Sequence, residues 1–163
     1  MRSKWSSKAA VIVASLGLAY GSSVQGTERV TTNVASDLLI LAIEDARQTL
    51  PLFFSAWEMP AQGQSNFTIS VRMVKPDGFY ELVWLTNIVR ISPKKFSGLV
   101  NPKPVFVVGV ELGDVIEFAT EEVTDWAYWD QGMLHGAYTT RLSLRGVNTE
   151  EAREWQRKFA PLP

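Results

Sequence analysis

Apolar residues between Asp37 and Leu50 recur at three- and four-residue steps, at Leu39, Ile43, Ala46 and Leu50, while Glu44, Asp45, Arg47 and Gln48 fall between them. That period predicts an amphipathic helix, with Asn33 or Ser36 placed to cap its start. Pro51 disfavours helical geometry at Leu50, so the chain is expected either to kink there or to begin a second short helix at the proline. Leu52, Phe53, Phe54 and Trp57 follow as a large apolar block, and Met59 to Asn66 reads as a loop. The period then drops to two. Phe67, Ile69, Val71 and Met73 alternate with Thr68, Ser70 and Arg72, the signature of a strand with one buried face. Pro76-Asp77-Gly78 is a turn signal, and Phe79 to Val89 is its partner strand, apolar on both faces apart from Glu81 and so expected at the centre of a sheet.

Downstream the pattern is more broken. Ser92 to Pro104 reads as irregular, with Phe96 pinned into the core, and Val105 to Val110 as a short apolar strand. Gly113-Asp114 turns the chain into a strand over Val115 to Phe118. Asp125 to Trp129 is expected to be extended, Gly132 marks a turn, and Ala137 to Leu144 alternates as a strand. Asn148 is placed to cap a last helix, with Glu151 reaching back, a stripe of Ala152, Trp155 and Phe159, and Pro161 at its end. Helix, antiparallel strands with short turns and a final helix together predict an α+β fold: a single domain whose curved antiparallel sheet packs against an N-terminal helix, with a C-terminal helix.

The 163 residues suit one core, and 46% apolar content with six Trp leaves ample surface to bury. The first 26 residues stand apart. Arg2, Lys4 and Lys8 precede the apolar run Ala9 to Leu18 and a small polar exit, the order of a secretory signal peptide, with cleavage expected after Gly26 and Gly21 as the alternative. The run is shorter than the roughly 20 residues that span a bilayer. Residues 27–36 are polar and are expected to be a loose mature N-terminus, and a periplasmic or secreted location follows. Removing three basic residues from 16 leaves 13 against 17 acidic ones, a net charge of −4. A mildly acidic body argues against nucleic acid or an anionic membrane as partner.

There is no Cys and one His, so disulfides, a thiolate nucleophile and a multi-histidine metal site are excluded, and nothing in the residues calls for a cofactor. Glu111, Asp114, Glu117, Glu121, Glu122 and Asp125 form an acidic run without the order of a dedicated calcium loop, and a solvated strand edge is the simpler reading. No metal residues are assigned. His135 with Asp125 and Arg141 could serve a small hydrolase, although no nucleophile elbow accompanies them. Trp126, Tyr128, Trp129 and Tyr138 with Arg141 resemble a recognition patch in composition, against the plain alternative that such rings fill the core.

Several short pieces point in one direction: Glu81 with Trp84; Phe96-Ser97-Gly98 with Asn101 and Pro104; Gly113-Asp114-Val115; Val123 with Asp125-Trp126-Ala127-Tyr128; Gly136-Ala137-Tyr138-Thr139 with Arg141. Together they resemble the YegJ-like family of bacterial domains of unknown function. The resemblance covers Asp37 to Leu144 and leaves out the helix from Thr149, and Leu82 departs from the polar residue or histidine expected after the glutamate. It implies a small α+β domain, sometimes exported, with no established reaction. The expectation is a non-enzymatic module that binds an unidentified protein or small ligand through a face formed by Trp84, Asp114, Asp125, Trp126, Tyr128, Tyr138 and Arg141. A hydrolase and a structural envelope protein are the alternatives.

Overall fold

The computed structural model describes residues 27–74 and 80–163, with side chains described from residue 37 onward outside that gap. The segment read as a signal peptide and the Pro76-Asp77-Gly78 turn lie outside the described residues. Helix α1 spans Thr27–Glu58, β1 Gln64–Val74, β2 Tyr80–Ser92, β3 Lys95–Val100 and β4 Val115–Ala119. A 3₁₀ turn at Thr120–Glu122 leads into β5 at Val123–Asp130 and β6 at Met133–Gly136, and two short helices follow, α2 at Tyr138–Ser143 and α3 at Glu150–Lys158. The strands form one open sheet in the order β4-β3-β2-β1-β5-β6, with every neighbouring pair antiparallel. This is the α+β domain that the hydrophobic pattern indicates.

α1 covers one face of the sheet with the row the period marks. Ile43, Ala46, Leu50 and Phe53 are buried, and the last three share one core with Ile69, Leu85 and Trp126, which stand opposite one another on β1, β2 and β5. The helix begins at Thr27, upstream of the Asp37 start set by periodicity, and it runs through Pro51 without a second start. Proline in a helix interior removes one backbone bond. Buried residues on both sides of it, Leu50 and Phe53, keep the helix on the sheet, since packing of an apolar face contributes more than one bond. A smaller cluster lies apart from this core, where Trp84, Ala127, Leu134 and Ala137 pack with Trp129, Trp155 and Phe159, the last two from α3 and its end.

Three elements differ from expectation. The stretch read as irregular contains β3, in which Phe96 is buried as foreseen and Gly98 has a reason to be glycine: an added Cβ would lie 2.9 Å from both Ile88 and Leu85 side chains. Val105 to Val110 is not a strand but part of an irregular loop over residues 101–114. Ala137 to Leu144 is not a strand either; it is α2, preceded by Ala137 in the left-handed region at φ 58°. The α3 cap is Thr149, whose hydroxyl accepts from the Ala152 N–H, while the Asn148 side chain accepts instead from Arg153.

Candidate functional site

Asp125 sits on β5 in one cross-strand row with Ser70 and Trp84, and it is fully buried. Oδ1 accepts from the N–H groups of Trp126 at 2.8 Å and Tyr138 at 3.1 Å. Oδ2 accepts from the Thr139 N–H at 2.8 Å and from its hydroxyl at 2.6 Å. The Tyr138 and Thr139 N–H groups are donors that the first turn of a helix leaves unmatched, so the carboxylate holds the start of α2 against β5. Burial pushes the Asp125 carboxyl up to about 6 from 3.8, against the opposing pull of these donors, Thr139 first.

The neighbouring residues are likewise engaged within the fold. The Trp126 indole N–H donates to the Ala46 carbonyl at 2.9 Å and to the Thr49 hydroxyl at 3.3 Å. Thr49 in turn donates to the Tyr138 hydroxyl at 2.8 Å. Tyr128 stacks between Phe67, at 5.1 Å, and His135, at 5.0 Å and nearly parallel. Arg141 donates to the carbonyls of Gly136, Leu134 and Ala160, tying α2 to β6 and to the C-terminal segment, and burial pushes its guanidinium below its ordinary range. Trp126, Tyr128 and Tyr138 are buried, and Trp84 belongs to the smaller cluster with its indole nitrogen lacking a hydrogen-bond partner. The structure thus brings Asp125, Trp126, Tyr138 and Arg141 together as the joint between α1, β5, α2 and the tail. It does not turn them outward as a contact face, and the plain alternative for the aromatic rings is the one observed. Asp125 is engaged by three backbone N–H groups and the Thr139 hydroxyl, and Arg141 by three backbone carbonyls.

Asp114 is the exposed member of the seven, and it leads to a second place that sequence reasoning passed over as a strand. The loop at residues 101–114 joins β3 to β4. Its ends meet where Val100 donates to the Asp114 carbonyl and accepts from the Gly113 N–H, both at 2.9 Å. Asp114 Oδ2 accepts from the Glu111 N–H, and Lys103 pairs with Glu111 across the loop. Closed ends and internal side-chain contacts are the marks of a compact Ω-type loop.

Glu81 fixes this loop to the sheet. Its side chain is 6% exposed, and Oε1 accepts from the Val105 N–H at 2.8 Å while Oε2 accepts from Phe106 at 2.8 Å and Val107 at 3.1 Å. Val107 and Val110 turn onto the main core, whereas Val105, Val108 and Leu112 face solvent, Val108 at 97% exposure. The signal for this arrangement was present: Glu81 is the one charge between Phe79 and Val89, in the first, mostly apolar part of a central strand, and a buried acid there needs partners. The recess between β2 and the loop, lined by Glu81 to Trp84 and Pro102 to Val105, holds about 10 Å³. That is room for about one water molecule, far below the several hundred Å³ of a small-molecule site.

Among the described residues no group of three acidic or histidine side chains is gathered as a metal site. No helix among them is long and apolar enough to cross a membrane. The chain matches over residues 37–160 the family described as "Uncharacterized protein conserved in bacteria (DUF2314)". It belongs to this family. The DUF2314 match extends past Leu144 and takes in α3, which the short sequence pieces leave out. The chain is also 28% identical over 118 residues to the uncharacterized protein YegJ of Escherichia coli (strain K12), covering 72% of this chain and 74% of that one. No solved structure matches it.

Proposed function

We propose that this DUF2314 domain is an exported, non-enzymatic binding module that meets a protein partner through loop 101–114. The observation that carries the reading is Glu81: a buried carboxylate holds three consecutive loop N–H groups, so an irregular segment is kept in one shape on a rigid sheet. Irregular loops longer than about 12–15 residues are uncommon inside compact domains and are usually functional. Here the inner valines anchor the loop while Val105, Val108 and Leu112 face outward beside Asp114. A protein surface suits this shape better than a small ligand, because the adjoining recess accommodates about one water. Export rests on the order of basic, apolar and small polar residues over the first 26 positions.

A photo-crosslinking residue at Val108 or Leu112, in the full chain expressed in a bacterial cell, is expected to join one discrete partner. The same residue at Val74, exposed on β1, is the control. Identical products at all three sites, or none at any, would remove the loop as a contact surface. Mass spectrometry of the protein recovered from the envelope is expected to give an N-terminus at Thr27; a retained Met1 in the cytoplasmic fraction would remove the export reading.

A further inference from the structure

Glu81 has a feature that a structural acid does not need. Its hydrogen-bond partners are the amides of three successive residues, Val105, Phe106 and Val107, converging on one carboxylate. Successive backbone N–H groups turned to a common point form an anion-binding concavity, and such a nest recognises a carboxylate by geometry and dipole rather than by a basic side chain. We propose that the amides of Val105, Phe106 and Val107 are a carboxylate site filled from within by Glu81, and that this filling sets the shape in which loop 101–114 is presented. Glu81 is then a positioning residue. The acid belongs to β2, and the nest to a loop some 24 residues downstream, so the two are separable. The nest lies beside the small recess that Glu81 itself lines with Pro102 to Val105, so truncating the glutamate enlarges that recess by the volume of the lost carboxylate at the amides.

The inference rests on the proposed contact role of the loop for its biological meaning, but its test does not. Amide hydrogen exchange at Val105 to Val107 is read in the full chain and in Glu81→Ala and Glu81→Gln variants. Exchange at these amides is expected to be about 10- to 100-fold faster in both variants, from the loss of charge-assisted bonds. Exchange at Ile69 and Leu85 should stay slow. Adding sodium acetate or formate should restore protection in Glu81→Ala, whereas sodium chloride at equal ionic strength should not. Unchanged exchange at the three amides in a folded variant would overturn the proposal, as would equal effects of acetate and chloride. Loss of the whole fold in both variants would overturn it as well, since Glu81 would then hold the domain rather than the loop. Crosslinking from Val108 in Glu81→Gln separates the two readings: a freed loop with undiminished crosslinking keeps the carboxylate site and removes loop shape as the basis of contact.

Discussion

Replacing Asp125 with alanine tests the joint at the start of α2, and the structure sets both the size and the pH dependence of the effect. The substitution strands four buried donors: the N–H groups of Trp126, Tyr138 and Thr139, and the Thr139 hydroxyl. Each orphaned donor costs about 1–3 kcal/mol. Against that, the wild-type carboxylate is itself disfavoured by burial. A rise from 3.8 to about 6 is roughly two pH units, or about 3 kcal/mol at pH 7. Taking a mid-range cost for the donors and subtracting that relief gives a net loss of about 4–5 kcal/mol. This is a large part of a domain's usual stability of about 5–15 kcal/mol.

The pH dependence follows from the direction of the shift. An acid whose folded pKa is raised binds its proton more readily in the fold, so its contribution to stability is fully present below 3.8 and is lost as pH rises through about 6. The gap between wild type and Asp125→Ala is therefore expected to widen on acidification, by about 1.4 kcal/mol per pH unit between 6 and 4. Urea unfolding followed by tryptophan fluorescence at pH 7, 6 and 5 measures it, and other carboxylates largely cancel in the difference. A loss under 1 kcal/mol at pH 7 would refute the count of orphaned donors. A gap that narrows as pH falls would show that the donors outweigh burial and hold the carboxyl below its ordinary range.

Other perturbations probe separate parts of the fold. Gly136→Ala places a Cβ 2.3 Å from the Trp126 carbonyl oxygen at a residue with φ +70°, and a loss of about 3 kcal/mol or more is expected in thermal or urea unfolding. Trp126→Phe removes the indole bonds to Ala46 and Thr49, with an expected loss of about 1–2 kcal/mol in the same assay. Arg141→Met releases three carbonyls, including that of Ala160, so limited proteolysis is expected to cut the C-terminal segment faster while the sheet stays protected. His135→Ala removes one half-exposed ring stacked on Tyr128 and should shift stability by no more than about 1.5 kcal/mol.

The residues also show why some elements were legible and others were not. The α1 stripe and the β1 alternation are local patterns, and Ile43, Ala46, Leu50, Ile69 and Val71 are buried as their spacing requires. Both failed strands failed for the same reason. A sheet ladder must match the N–H groups of 105–107 and of 138–139, but buried acids from other strands take them first, Glu81 in one case and Asp125 in the other. Alternation of apolar residues cannot reveal a competitor 13 to 26 positions away. β3 was missed for a different reason, since Lys94, Lys95 and Gly98 mask a short strand whose Gly98 is demanded by Ile88 and Leu85. For the candidate site, composition singled out Asp125, Trp126, Tyr138 and Arg141, which the fold gathers at one joint. It could not tell a joint from a contact face, because the deciding hydrogen bonds run from β5 and α2 back to Ala46 and Thr49.

Those last bonds have a consequence for how the polypeptide acquires its shape. Ala46, Arg47 and Thr49 find their partners 74 to 89 positions later, at Glu121, Val123, Trp126 and Tyr138. A ribosome therefore releases α1 long before β5 and α2, which hold its Ala46, Arg47 and Thr49 side, have been made. Contacts of such separation form late and slowly, because loop closure must precede any gain. A chain stopped before β5 would lack Trp126 against Phe53 and the partners of Arg47 and Thr49, leaving that side of α1 uncovered, a surface for chaperones or for aggregation. Completion of synthesis, rather than emergence of the first helix, is then the event that commits this protein to its native state.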